Sequence, residues 1–179
     1  MLMSYRECIN KFGNQYQIDK EIANGKLFKL DTGVYSDRHV SELAVISYKY
    51  PRAVFTMNSA FYYHSLTDVV PDRYHLATLK DAHKIVNEKV KQYFSRDDKF
   101  SIGITITHYQ NTEIRIYDRE RMLIELIRNK NSLPFDYYKE IIESYRNIAQ
   151  ELDIEKMQGY LAQFSKQNHI AEAIQLEVF

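Results

Sequence analysis

At Asp118 the hydrophobic pattern of the chain changes period. Upstream, "FSIGITITHY" and "TEIRIYD" alternate polar and apolar residues on either side of Gln110-Asn111. That is the signature of a strand pair joined by a tight turn. Downstream, Asp118 stands as a helix cap before "RERMLIELIRNK", and every later segment repeats at helical spacing. Ser132-Leu133-Pro134 starts a helix with Phe135, Tyr138, Ile141, Ile142, Tyr145 and Ile148 on one side. Asp153 caps another, carrying Ile154, Met157, Leu161 and Phe164, and a last short helix holds Ile170, Ala173 and Ile174. A strand-rich stretch followed by a run of helices predicts an α+β chain rather than alternating βαβ units.

The first 36 residues read differently. Ser4-Tyr5-Arg6-Glu7 has the form of a capping box, with Tyr5, Cys8, Ile9 and Phe12 following at helical spacing as far as Gly13. Asn14 caps a second helix, with Ile18 and Ile22 one turn apart, which Asn24-Gly25 ends. "KLFKL" and "VYS" flank Asp31-Thr32-Gly33, and Gly33 suits the left-handed position of a three-residue hairpin loop. Helix, tight turn, helix, hairpin is the predicted order. Between this unit and the strand pair, a helix around Leu43, Ile46 and Tyr50 stops at Pro51. "RAVFTM" is a predicted strand, "NSAFYYHSL" a helix capped by Asn58, and "RYHLATL" a strand. Residues 80–94 fit a helix, though the spacing of Ile85, Val86, Val90, Tyr93 and Phe94 also allows a strand piece. "SRDDK" is a predicted solvated turn. Residues 1–38 are thus expected to form one small domain and residues 39–179 a larger one, β-rich to about residue 117 and helical after it.

Several function classes are set aside at this level. With 45% hydrophobic residues in 179, a packed core is feasible. The single cysteine, Cys8, builds no disulfide framework, so a reducing cytoplasmic interior is expected, with Cys8 as a small core residue. The first ten residues lack the apolar stretch of a signal peptide, and no stretch of some 18 apolar residues exists to span a membrane. No glycine-rich phosphate loop and no His-Glu-x-x-His occurs. Ser59, His64 and Asp68 lie close in sequence, but a catalytic triad comes from distant segments. Asp97, Asp98 and Glu113 sit beside strands without a basic partner to complete a metal-dependent nuclease. The expectation is a protein that is not an enzyme, with no catalytic residue, no metal site and no cofactor.

Two groups of residues carry candidate function. If the first 38 residues form a DNA-reading unit, the second helix enters the major groove with Asn14, Gln15, Gln17 and Lys20 at base edges. Lys26, Lys29 and the hairpin tip at Thr32 then lie near phosphate. The alternative is a helix pair that only packs on the larger domain. Six Lys or Arg against five Asp or Glu in this region give little affinity from charge alone. The second group is Glu120, Arg121 and Glu125. Arginines at a helix start oppose the dipole, and Glu125 one turn on offers Arg121 a partner. A helix-supporting ion pair and a binding motif both fit.

"YQIDKEIANGKLFKLDTGVYS" resembles the start of the AbiEi family, the antitoxins of type IV toxin–antitoxin systems. The likeness rests on Gly25-Lys26-Leu27 and Gly33-Val34-Tyr35 after a recognition helix. It continues in "AVFTMNSAFYYHSL", similar to the family's Ser-Ala helix with Ser59, and in "IYDRERMLIELIR", similar to its Glu-Arg-x-Leu-x-Asp segment with Glu120, Arg121 and Glu125. The ending "LEVF" is similar to the family's closing residues. The resemblance implies a shortened N-terminal winged helix-turn-helix that binds the operator DNA of its own operon. It also implies a C-terminal antitoxin domain that counters a nucleotidyltransferase-like toxin, without need of a stable complex. Two departures are visible. The family usually carries a further helix ahead of this pair, and Glu125 stands where an Asp is common. The alternative reading is an antitoxin-only or protein-interaction module that no longer binds DNA.

Overall fold

A computed structural model describes residues 1–179 apart from the side chain of Asp97. The chain divides into two compact units, Met1–Pro51 with Gln110–Glu113, and Arg52–Tyr109 with Ile114–Phe179.

The first unit begins with a short strand, β1 (Leu2–Ser4), that the sequence pattern did not announce. Then come α1 (Tyr5–Phe12), α2 (Gln15–Ala23), the hairpin strands β2 (Phe28–Asp31) and β3 (Val34–Ser36), and α3 (Glu42–Lys49). The three strands are antiparallel in the order β1-β3-β2. The capping box forms as its residues imply. Glu7 N–H donates to Ser4 Oγ, and Ser4 N–H donates to Glu7 Oε2 at 2.6 Å. Tyr48 of α3 adds its hydroxyl to the same carboxylate at 2.7 Å. These bonds hold the Glu7 carboxyl at about 2, well below the usual range, the Ser4 amide contributing most. Asn14 caps α2 by accepting from Gln17 N–H. Met3, Cys8, Ile18, Leu27 and Tyr35 make the core, with Ile9, Phe12 and Ile22 packed against it.

The second unit joins a mixed sheet to a helical end, as the change of period at Asp118 predicts. Its elements are β4 (Val54–Phe55), α4 (Met57–Tyr63), β5 (Tyr74–Leu79), β6 (Val90–Ser95), α5 (Asp97–Phe100), β7 (Ile104–Tyr109) and, from Ile114 on, β8 (Thr112–Tyr117). α6 (Arg119–Arg128), α7 (Phe135–Asn147), α8 (Ile154–Leu161) and α9 (Gln167–Glu177) follow. The strand order is β6-β5-β4-β8-β7, with β4 antiparallel to β5 and parallel to β8, and β5 parallel to β6. Gln110 and Asn111 turn the β7–β8 hairpin with positive φ at both positions, as a two-residue turn of that hand requires.

Three local expectations are corrected. Residues 80–94 form no helix. Val90–Ser95 pair along the whole of β5, and Val86 stands in solvent. As a helix these residues would pair only with themselves and leave the edge of β5 open, whereas as a strand they pair with all six of its residues. Helix α4 starts at Met57 rather than after Asn58, with Thr56 at its cap. The expected turn at "SRDDK" contains the short helix α5.

α6 is the axis of this unit. Met122, Leu123, Ile124 and Leu126 are wholly buried, and the helix packs on α4, α8 and α9. A helix apolar around most of its circumference belongs inside. Gly103, at the start of β7, lies against it. Its carbonyl accepts from Asp118 N–H at 2.7 Å. Its φ is +75°, and a Cβ there would sit 2.5 Å from Cβ of Arg121. Gly103→Ala is therefore expected to destabilise the protein by about 2 kcal/mol or more, from backbone strain and the clash together. Urea unfolding would show it as a lowered midpoint, and an unchanged midpoint would mean that this approach does not constrain the fold.

Candidate functional site

The residues expected to meet DNA all lie in the first unit. Gln15, Lys20, Lys26, Lys29 and Thr32 are exposed, and Gln17 is half-buried. Asn14 has its amide oxygen engaged as the α2 cap. Gln15 Nε2 donates to Asp19 Oδ1 at 2.7 Å, one turn on. Tyr16, 72% exposed, stands between Gln15 and Gln17. Nothing in the spacing of apolar residues singled it out, because helical periodicity only says which residues face inward.

Ser59, Glu120, Arg121 and Glu125 lie in the second unit, but not as one cluster of free side chains. Ser59 is wholly buried on α4, and its hydroxyl accepts from His75 N–H at 2.9 Å. It ties α4 to β5. His64 Nε2 is bonded to the Tyr117 carbonyl oxygen at 2.7 Å, away from Ser59, and Asp68 is exposed. The three residues of the tempting triad thus serve separate contacts.

Asp118 organises the start of α6. Its Oδ1 accepts from Arg121 N–H, and its Oδ2 accepts from the Tyr160 hydroxyl, both at 2.8 Å. Glu120 points to α8. It receives Asp153 N–H at 3.0 Å and the Lys156 ammonium at 2.8 Å. Burial by itself would raise the Glu120 carboxyl, but the Lys156 and Asp153 bonds outweigh it and hold the group below its ordinary value. Lys156 is raised in turn. Its own desolvation works the other way, but Glu120 and Asp118 prevail.

Arg121 is 2% exposed. Its Nε and Nη2 donate to Glu125 Oε1 at 3.1 and 2.8 Å. Its Nη1 donates to the carbonyls of Lys99 and Ile102 at 2.8 and 3.2 Å. The guanidinium also lies between two rings, 4.7 Å from the centre of Tyr117 and 4.6 Å from that of Phe164. Arg128 shares Glu125, donating from Nη1 to both carboxylate oxygens at 2.8 and 3.0 Å. The Glu125 partner was legible one helical turn away. Phe164 and the two carbonyls were not, because they come from distant parts of the chain.

Among the described residues no three His, Cys, Asp or Glu side chains converge to hold a metal ion. Asp98 pairs with Lys99 at 2.9 Å; the side chain of Asp97 lies outside the described residues. No described helix is long and apolar enough to cross a membrane. No family model matches the chain, and no curated protein matches it.

The Glu120–Lys156 pair makes a pH prediction. A carboxyl held below its unfolded value stabilises the fold above that value, and the contribution is lost as pH falls through the folded one. Glu120→Gln is expected to cost about 2 kcal/mol near neutrality, as for a hydrogen bond to a charged group. The gap from wild type should close as the pH drops below the ordinary glutamate range of about 4.3. Urea unfolding across pH measures it, and a gap that persists at low pH would assign the loss to packing instead.

Proposed function

We propose that the chain is a regulator and antitoxin of AbiEi type. In this reading the first unit is a winged helix-turn-helix that binds the operator of its own operon. The second unit opposes a nucleotidyltransferase-like toxin in the cytoplasm, without need of a stable complex. The chain catalyses nothing and takes no cofactor.

One observation carries the DNA-binding half. The first unit runs strand, helix, helix, hairpin, and its first strand pairs with the last strand of the hairpin, β1-β3-β2. That order supports a reading as a winged helix-turn-helix from its first strand onward, in which α2 would be the recognition helix and β2–β3 the wing. The two helices are joined by the short turn Gly13-Asn14, and a glycine is common in the turn of a helix-turn-helix. The exposed side of α2 offers Gln15, Tyr16 and Lys20, and the wing offers Lys29 and Thr32. The antitoxin half rests on the resemblance around Ser59, Glu120, Arg121 and Glu125. Ser59, Glu120 and Arg121 are buried and Glu125 is partly so, so in this reading the motif supports the surface that acts rather than forming most of it.

A second reading is favoured by the Gln15–Asp19 bond and the near balance of charge over residues 1–38. There the first unit has lost DNA binding and the chain is an antitoxin or interaction module only.

Gel-shift titration on the operon's own promoter separates the two. Gln17→Ala should weaken binding by about 1–3 kcal/mol where it meets a base. Lys20→Ala, Lys26→Ala and Lys29→Ala should weaken it across sequences, and the salt slope should fall by about 1 for each phosphate no longer neutralised. Unchanged affinity in all four variants would sink the groove assignment. Co-expression of the full chain with the adjacent gene tests the other half. Growth rescue by the Lys20→Ala variant would place the antitoxin function outside the DNA contacts. A full-length chain that neither rescues growth nor binds its promoter would overturn both readings.

A further inference from the structure

The second unit holds a cleft of about 250 Å³ beside the Arg121 network. Arg96, Lys99, Arg121 and Arg128 line it, with Glu125 and Phe94 among their neighbours. We propose that this cleft binds the phosphate of a small phosphorylated ligand, of mononucleotide size or less. The site is independent of the DNA contacts on the first unit.

The charge arrangement carries the proposal. Arg121, Arg128 and Lys99 all lie over one ring, Phe164, at 4.6, 4.9 and 5.7 Å from its centre. Three like charges gather about one ring and repel one another. The ring's quadrupole offsets part of this, and Glu125, whose side chain is 12% exposed, offsets one charge. Glu125 is already held by Arg121 through two bonds, so Arg128 adds a cation that the fold does not need for neutrality. Lys99 pairs with Asp98, whose side chain is 63% exposed and screened by water.

The donors that remain fit phosphate. Arg128 spends only Nη1 on Glu125, and among the described residues its Nε and Nη2 donate to no protein acceptor. A guanidinium edge of this kind grips two phosphate oxygens, while a lysine such as Lys99 supplies a point charge beside them. Arg121 is fixed by its four bonds, so its charge stays in place with little reorganisation on binding. The walls add an apolar side. Phe94, on the rim, is 53% exposed, which leaves a ring for a base or other flat group to cover. The cleft is smaller than a typical drug-sized pocket of roughly 300–1,000 Å³. A phosphate with one appended group is of a size to fill it.

Met57 also lines the cleft, with φ +45°. A bulky residue in the left-handed region is uncommon and tends to occur where a site has been shaped.

Calorimetric and NMR titrations of the full chain test the proposal, with inorganic phosphate, pyrophosphate, ATP and a short single-stranded oligonucleotide as probes. The expected result is saturable, salt-sensitive binding of pyrophosphate and ATP, weaker for phosphate alone. Amide shifts should centre on Lys99, Gly103 and Asn129. Arg128→Gln and Lys99→Gln should each weaken binding about tenfold. No saturation up to about 10 mM would overturn the proposal. So would shifts confined to the first unit, tighter binding of the oligonucleotide than of ATP, or an affinity unmoved by both substitutions. The wild-type shift map decides the matter even where a variant fails to fold.

Discussion

A guanidinium cannot be removed from water unless its donors and its charge are met, and Arg121 meets them from four directions. Glu125 supplies the counter-charge from the same helix. The backbone of Lys99 and Ile102 supplies carbonyls from the segment entering β7. Tyr117 at the end of β8 and Phe164 after α8 close the two faces. Taking away one partner of such a buried pair costs about 3–5 kcal/mol, a large share of a domain's stability. The neighbourhood is shaped to keep the cation. Gly103 lies so near Arg121 that a side chain there would displace it, and Asp118 caps the helix that carries it. One buried charge thus fixes how the sheet meets α6, and α6 in turn positions α4, α8 and α9.

The parts of this fold legible in the sequence are those whose cause is local. Ser4 caps α1, Asn14 caps α2, and Asp118 and Asp153 cap α6 and α8, because each side chain reaches an amide three residues on, and Glu7 reaches back three residues to the Ser4 amide. The misread parts are decided at a distance. β1 is three residues long and is a strand only because β3 lies beside it. Residues 90–95 have apolar spacing that serves either a helix or a strand, and the open edge of β5 decides between them. Thr56 rather than Asn58 stands at the cap of α4, where its N–H donates to the His75 carbonyl of β5 at 3.0 Å. The same division runs through the candidate residues. Glu125 as partner to Arg121 follows from helix geometry, whereas Lys156 for Glu120 and His75 for Ser59 need the tertiary structure.

The zero net charge of the chain hides two unlike distributions of cations. Lys20, Lys26 and Lys29 of the first unit stand in water. Their charges are screened, and each must be ordered before it meets a partner, so they suit a polyanion that presents many phosphates at once. Arg121, Arg128 and Lys99 of the second unit are held against an aromatic ring, two of them by a shared carboxylate. The repulsion among them was met when the protein folded. A compact anion entering the cleft relieves it and orders little else, since binding costs least where the site is already arranged. Counting lysines and arginines against acids, which speaks weakly for nucleic-acid binding in the first unit, is therefore no guide to the second, where one fixed geometry matters more than the sum.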